Sequence, residues 1–127
     1  MKLRIKGNSL RFRVSRSELG RFLAGEVIRE TSRFAPEPEA TLTYQLSSVE
    51  QGPAVQVQYT TRTIAVILSR QQALDWSSEN EVGVYTTLDI GSAGTLEVVV
   101  EKDFACLDRS EADNTDTFAN PLDGATC

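Results

Sequence analysis

The amino-acid sequence predicts an α+β fold, built mainly from antiparallel β-sheet or from a partly open β-barrel, with two short helices. Three observations predict it. Apolar and polar residues alternate with a period of two in several segments, which is typical of half-buried strands. Two segments carry a Ser-x-x-Glu/Gln spacing, which is typical of helix starts. The connections between these segments are short, whereas a parallel doubly wound fold would need more helix.

The first two strands are predicted at the amino terminus. Their apolar residues are Leu3, Ile5, Leu10, Phe12 and Val14. These positions change from odd to even numbers between the two runs, so Gly7-Asn8-Ser9 must hold either a tight turn or a bulge. A two-residue turn would set Arg4 opposite Arg11 and Lys2 opposite Arg13. A bulge would instead give one longer strand with the same basic face.

Two short helices are predicted from the capping-box spacing. Ser15 precedes Glu18 by three residues, and a helix over 16–24 is expected to follow. Ser69 precedes Gln72 in the same way, which predicts a second helix of about two turns.

The same alternation predicts the remaining strands. They are expected within residues 26–34, 42–46, 55–59, 64–68, 82–90 and 95–104. The total is seven or eight strands, and no repeat with a period of 20–50 residues is visible.

Composition predicts one domain over residues 1–127, with residues 105–127 as an acidic, extended tail. The apolar stretches are far shorter than a membrane-spanning helix, and the amino terminus lacks the continuous apolar run of a signal peptide. Cys106 and Cys127 are too few for a disulfide framework or a structural zinc site. We therefore expect a cytoplasmic protein with no membrane contact and no cofactor.

Charge is distributed unevenly along the chain. Nine of the 13 basic residues but only three of the 18 acidic residues lie in positions 1–33. This stretch has a net charge of +6 and the rest has −11, which together give the overall −5.

Two interpretations of this asymmetry stay open. In the first, acidic residues of the last strand, Glu97, Glu101 and Asp103, lie beside the basic strands and form cross-strand pairs. In the second, the basic residues present a face to an anionic ligand, because Arg offers paired donors to phosphate or carboxylate. The candidate anion-binding residues are Lys2, Arg4, Lys6, Arg11 and Arg13. A nucleic-acid partner is not expected, because the chain is acidic overall and would repel a polyanion away from the basic face. The basic side chains are also not interleaved with aromatic residues that could stack on bases, since Phe12 has the parity of the core.

The residues give little support to catalysis. The chain has no histidine, so nucleophilic triads and His-rich zinc sites are excluded. A metal-dependent phosphoryl hydrolase, with carboxylates and basic residues in a β-barrel cleft, is the alternative hypothesis. However, tunnel-shaped triphosphate hydrolases open with Glu-x-Glu-x-Lys, and residues 2–6 lack both acids. The run 113–116 lacks the glycine and the closing glutamate of a calcium loop.

Three segments resemble a family of short uncharacterised bacterial proteins, a domain of unknown function. They are the opening 3–11, the middle Asp75-Trp76 with Glu81-Val82-Gly83, and the closing 101–108. The resemblance implies a bacterial source and a free-standing domain, and it brings no known activity. We therefore expect a binding or accessory protein whose basic face takes a small anionic ligand or a protein partner.

Overall fold

The computed structural model describes residues 1–105 and 115–119. Its elements in chain order are β1 (Lys2–Lys6), β2 (Ser9–Val14), α1 (Arg16–Leu23), β3 (Ile28–Arg33), β4 (Thr41–Val49), β5 (Val55–Thr60), β6 (Thr63–Ser69), α2 (Arg70–Ser77), β7 (Gly83–Asp89) and β8 (Thr95–Lys102). A short 3₁₀ turn at Gly91–Ala93 joins β7 to β8. None of the helices in the described residues has the length and apolarity that crossing a membrane requires.

The strands form two four-stranded sheets. The terminal sheet, with strands from both ends of the sequence, has the order β1-β2-β8-β7, and the middle sheet has the order β3-β4-β6-β5. The pairings β2–β8 and β4–β6 are parallel, and the other four are antiparallel. The predicted α+β fold with mainly antiparallel strands is confirmed.

The chain divides into two compact units. One contains Met1 and Gly20–Glu81, and it holds the middle sheet and α2. The other contains Lys2–Leu19 and the residues from Val82 onward, and it holds the terminal sheet. Each unit has its own buried apolar residues.

In the terminal sheet, alternate residues of β2 and β8 are buried. Phe12, Val14 and Val100 have no exposed surface, whereas Arg11 and Arg13 are half-buried on the other face. In the middle sheet Leu46, Val66 and Leu68 are fully buried. Within the same unit the rings of Phe22 and Trp76 pack with their centroids 6.1 Å apart.

Both helices begin as the sequence predicts. The Ser15 backbone N–H donates to Glu18 Oε1 at 3.0 Å, and the Glu18 N–H donates back to Ser15 Oγ at 3.3 Å. At α2 the Gln72 N–H donates to Ser69 Oγ at 3.1 Å. These bonds satisfy N–H groups that a helix leaves without an internal partner.

The order of elements occurs twice along the chain. The series β1-β2-α1-β3-β4 is followed by β5-β6-α2-β7-β8, and the two sheets have the same connectivity. The register of the β1–β2 hairpin repeats in β5–β6, because adding 54 to both members of the pair Lys2↔Arg13 gives the pair Gln56↔Ile67. The registers of β3–β4 and β7–β8 differ by two residues under this offset. The parallel pairings β2–β8 and β4–β6 match under the same offset. The repeat of 54 residues is slightly longer than the periods of 20–50 residues for which the sequence showed no repeat.

The clearest sequence trace of this duplication is at the helices. Val14-Ser15-Arg16 and Leu68-Ser69-Arg70 occupy equivalent positions, and so do Phe22 and Trp76. The fold is therefore an internal duplication in which each half supplies a hairpin to each sheet.

Residues 115–119 pair with the end of the terminal sheet. Phe118 and Phe104 form an isolated bridge, and the Phe118 N–H donates to the Asp103 carbonyl at 2.8 Å. The other residues on which the tail and metal-loop interpretations depend lie outside the described residues: Cys106, Asp108, Glu111, Asp113, Asn114, Asp123 and Cys127.

Candidate functional site

The candidate site is the basic face of the terminal sheet, made of Lys2, Arg4, Lys6, Arg11 and Arg13. A tight turn joins its two strands, and Gly7 in that turn has φ +56°, which glycine adopts without strain. Arg4 therefore lies opposite Arg11, and Lys2 lies opposite Arg13, as the two-residue turn predicts. Phe12 is buried and in register with Leu3, so the five basic residues, which lie at the alternate positions of β1 and β2, share the opposite face of the sheet.

Strand β8 lies next to β2 and brings acidic residues to this face. Arg13 is in register with Glu101, Arg11 with Val99, and Ser9 with Glu97. Strand β7 pairs with the other edge of β8, and its residues Gly83, Tyr85 and Thr87 are in register with Glu101, Val99 and Glu97. Three rows of residues therefore cross the four strands.

Glu101 and Asp103 neutralise part of the basic face. Arg13 Nε lies 3.0 Å and Arg11 Nε lies 3.6 Å from Glu101 Oε1. Lys2 Nζ lies 2.8 Å from Asp103 Oδ2. Such pairs contribute about 0.2–1 kcal/mol each when they are partly exposed. The pairing interpretation thus holds for Lys2, Arg11 and Arg13.

Arg4 and Lys6 form no ion pair within residues 1–105 and 115–119. Both are exposed. Together with Ser9 and Arg11 they line a depression of about 270 Å³. A smaller depression of about 80 Å³ adjoins it, because Arg4 and Arg11 line both, and Lys2, Leu3 and Arg13 complete its lining. Three guanidinium or ammonium groups therefore surround one concave area, and of these only Arg11 has a carboxylate partner within the described residues, Glu101.

Tyr85 is a feature of this face that the sequence analysis missed. The residue is 60% exposed, and its hydroxyl donates to Glu101 Oε2 at 3.4 Å. Partial burial and the Glu101 carboxylate raise the pKa of Tyr85, while the charge of Arg11 opposes them. The alternation in β7 placed Val84 in the core, and the same parity could have placed Tyr85 on the outer face. It could not show that this face is shared with the basic residues.

The acidic residues do not gather into a metal site in the described part of the chain. No group of three or more Asp, Glu or Cys side chains there could hold a metal ion. Glu101 and Asp103 are engaged by basic side chains, and Glu97 lies in register with Ser9 and Thr87. The metal-dependent hydrolase stays an untested hypothesis, and what the arrangement can do directly is bind negative charge.

The middle sheet has the same strand connectivity, so its residues can be compared with the five basic residues of the terminal sheet. The positions equivalent to the five basic residues under the 54-residue offset are Gln56, Gln58, Thr60, Ala65 and Ile67. A sheet of the same connectivity, with β5–β6 in the register of β1–β2, thus forms with no basic side chain at any of them. The basic face is therefore not a requirement of this sheet architecture.

A model of a family of unknown function, DUF7009, matches residues 1–122 of the chain. No curated protein and no solved structure matches it.

Proposed function

Because the chain belongs to the DUF7009 family, whose function is unknown, we propose from its own residues that it binds a small anionic ligand on the basic face of the terminal sheet. The observation that carries this proposal is the row Arg4–Arg11, in which two guanidinium groups face each other and Val99 follows in place of an acid. Like charges directly opposite each other destabilise a sheet. A bound anion would relieve that repulsion.

The chemistry of the depression suits a phosphoryl or carboxylate group. Arg4 and Arg11 supply planar donors that bind two oxygens at once, Lys6 supplies a compact positive charge, and Ser9 is a neutral polar neighbour. A volume of about 270 Å³ is near the lower end of ligand sites, so a compact anion is favoured over a large organic molecule.

The net charge of −5 limits the class of partner. A long polyanion that reached beyond the basic face would meet an overall acidic protein, whereas a small anion need contact only this face. A protein partner with an acidic surface is the alternative occupant. We place the protein in the bacterial cytoplasm, a proposal supported by the low cysteine count and by the resemblance to bacterial proteins.

Thermal unfolding with and without millimolar phosphate, pyrophosphate or triphosphate tests the proposal. Ligand at about 100 times its Kd adds roughly 2.7 kcal/mol to the stability, so the midpoint should rise by several degrees. Arg4→Gln and Lys6→Gln should each reduce that rise. Arg33→Gln is the matched control, because it removes the same single positive charge from an exposed residue that lies in β3 of the middle sheet.

A rise that survives Arg4→Gln unchanged, or no rise with any of the three anions, would contradict the proposal. Calorimetric titration at two salt concentrations adds a second criterion. Binding to this exposed face should weaken as ionic strength increases, because salt screens exposed charges beyond about 10 Å at 0.1 M.

A further inference from the structure

Tyr85 lies in the same cross-strand row as Arg4 and Arg11. That row runs Arg4, Arg11, Val99, Tyr85 from one edge of the terminal sheet to the other. Neighbouring strands are about 4.8 Å apart, so Arg11 and Tyr85 are separated by roughly 10 Å across β8. A sugar with one or two phosphoryl groups is long enough to connect a group on Arg11 with a ring on Tyr85.

The position next to Tyr85 on this face of β7 is a glycine, and Glu101 of β8 lies close against it. Gly83 is the preceding residue on this face, and it contributes no side chain. A Cβ atom there would lie 2.8 Å from Glu101 Cβ and 2.8 Å from the Val100 carbonyl oxygen, so the close approach of β7 to β8 requires glycine. Val99 lies between Tyr85 and Arg11 in this row, and the Glu101 carboxylate of the neighbouring row contacts both the Tyr85 hydroxyl and Arg11.

We infer that the ligand is a free nucleoside phosphate, with its phosphoryl groups on Arg4, Lys6 and Arg11 and its base stacked on Tyr85. This inference rests on the proposed anion site and adds the aromatic part of the ligand. An exposed aromatic ring stacks on any nucleobase, and the stacking does not depend on base sequence. The charge and the ring thus match the two chemically different ends of one molecule.

A free nucleotide fits better than a polynucleotide. Among the described residues, the face offers one exposed aromatic ring in register with Arg4 and Arg11, whereas proteins that bind single-stranded nucleic acid stack several successive bases on aromatic side chains. The site also lies on a chain of net charge −5. One base and a short phosphate chain use all the groups that the row provides.

Calorimetric titration with ADP, inorganic pyrophosphate and adenosine tests the inference on the full chain. ADP should bind about tenfold more tightly than pyrophosphate, and adenosine should bind more weakly than either. Tyr85→Ala should weaken ADP binding about tenfold and leave pyrophosphate binding unchanged, and Tyr85→Phe should keep ADP binding. Tyr59→Ala is the matched control, because Tyr59 is 67% exposed but lies in β5 of the middle sheet.

The outcomes separate this inference from the proposed function. Equal affinity for ADP and pyrophosphate, with both lost in Arg4→Gln, would overturn the nucleotide and leave the anion site standing. Equal weakening of both ligands by Tyr85→Ala would overturn a stacking role. Absence of binding by all three ligands would overturn both. Tighter binding of a short single-stranded RNA than of ADP would replace the free nucleotide by a polynucleotide.

Discussion

Arg4 and Arg11 lie directly opposite each other in the β1–β2 hairpin, and both line the two depressions of the basic face. Neighbouring like charges of this kind cost a sheet about 0.2–1 kcal/mol. The equivalent pair in the middle sheet is Gln58 and Ala65, which carries no charge. The repulsion is therefore specific to the terminal sheet.

Arg4→Gln should consequently stabilise the ligand-free protein while it weakens anion binding. We expect the free energy of unfolding to rise by about 0.2–1 kcal/mol in urea titration at low salt. The gain should shrink in 1 M NaCl, where the Debye length is about 3 Å. A loss of stability in Arg4→Gln would show that the Arg4 stem is needed for packing and that repulsion is not the dominant effect.

Glu101→Gln should have the opposite pair of effects. It removes the partner of both Arg11 and Arg13, so the free energy of unfolding should fall by about 1 kcal/mol. Affinity for pyrophosphate should rise severalfold, because two guanidinium groups lose their internal competitor. Glu97→Gln is the control for the change in net charge, since Glu97 faces the same side and forms no ion pair in the described residues. It should leave stability nearly unchanged.

Tyr85 should ionise above pH 10.0, the ordinary pKa of tyrosine, since burial and Glu101 both raise the pKa of its hydroxyl. Subtracting the ultraviolet pH titration of Tyr85→Phe from that of the unsubstituted protein gives the ionisation of the Tyr85 hydroxyl alone. Glu101→Gln should move the titration to lower pH. Because the folded-state pKa is the higher one, the stability from neutral Tyr85 is complete below pH 10.0 and is lost as pH rises through the folded pKa. Titration of Tyr85 below pH 10.0 would contradict the contact with Glu101.

Glu18 should contribute to stability on the acid side. Burial raises its pKa, but hydrogen bonds to the carboxylate, including the one from the Ser15 N–H, outweigh burial and leave the pKa below 4.5. The stability it supplies is therefore present above pH 4.5 and is lost as pH falls through the folded pKa. Glu18→Gln should flatten this part of the stability profile. Ser15→Ala should cost about 1 kcal/mol at neutral pH, because it removes the helix cap.

Gly83→Ala and Gly20→Ala should change stability in opposite directions. At Gly83 the added Cβ would lie 2.8 Å from Glu101 Cβ and from a backbone oxygen, so strands β7 and β8 must separate, at a cost of about 1–3 kcal/mol. At Gly20, inside α1, a Cβ meets nothing within 4 Å, and alanine should stabilise the helix by about 0.5–1 kcal/mol. Chemical denaturation of the two variants measures both, and equal effects would contradict the close approach at Gly83.

The sequence alone determined the local elements of this protein. The Ser-x-x-Glu/Gln spacings involve residues within a few positions of each other, so capping hydrogen bonds fix the helix starts without the rest of the chain. The parity change around Gly7-Asn8 indicated a turn or a bulge, and the β1–β2 pairing shows that it is a turn. The same alternation assigned all five basic residues to one face.

Only the tertiary structure decided which distant strands pair. The parallel β2–β8 pairing brings Glu101 to Arg13 across 88 positions, and the β7–β8 pairing then brings Tyr85 onto the same face. Local alternation is equally compatible with many partners for a strand, because the choice depends on how much apolar surface the complete arrangement buries. For the same reason the 54-residue duplication emerges from the repeated pairing register. A half-buried strand accepts many side chains of the right polarity, so its sequence can diverge while its register stays fixed.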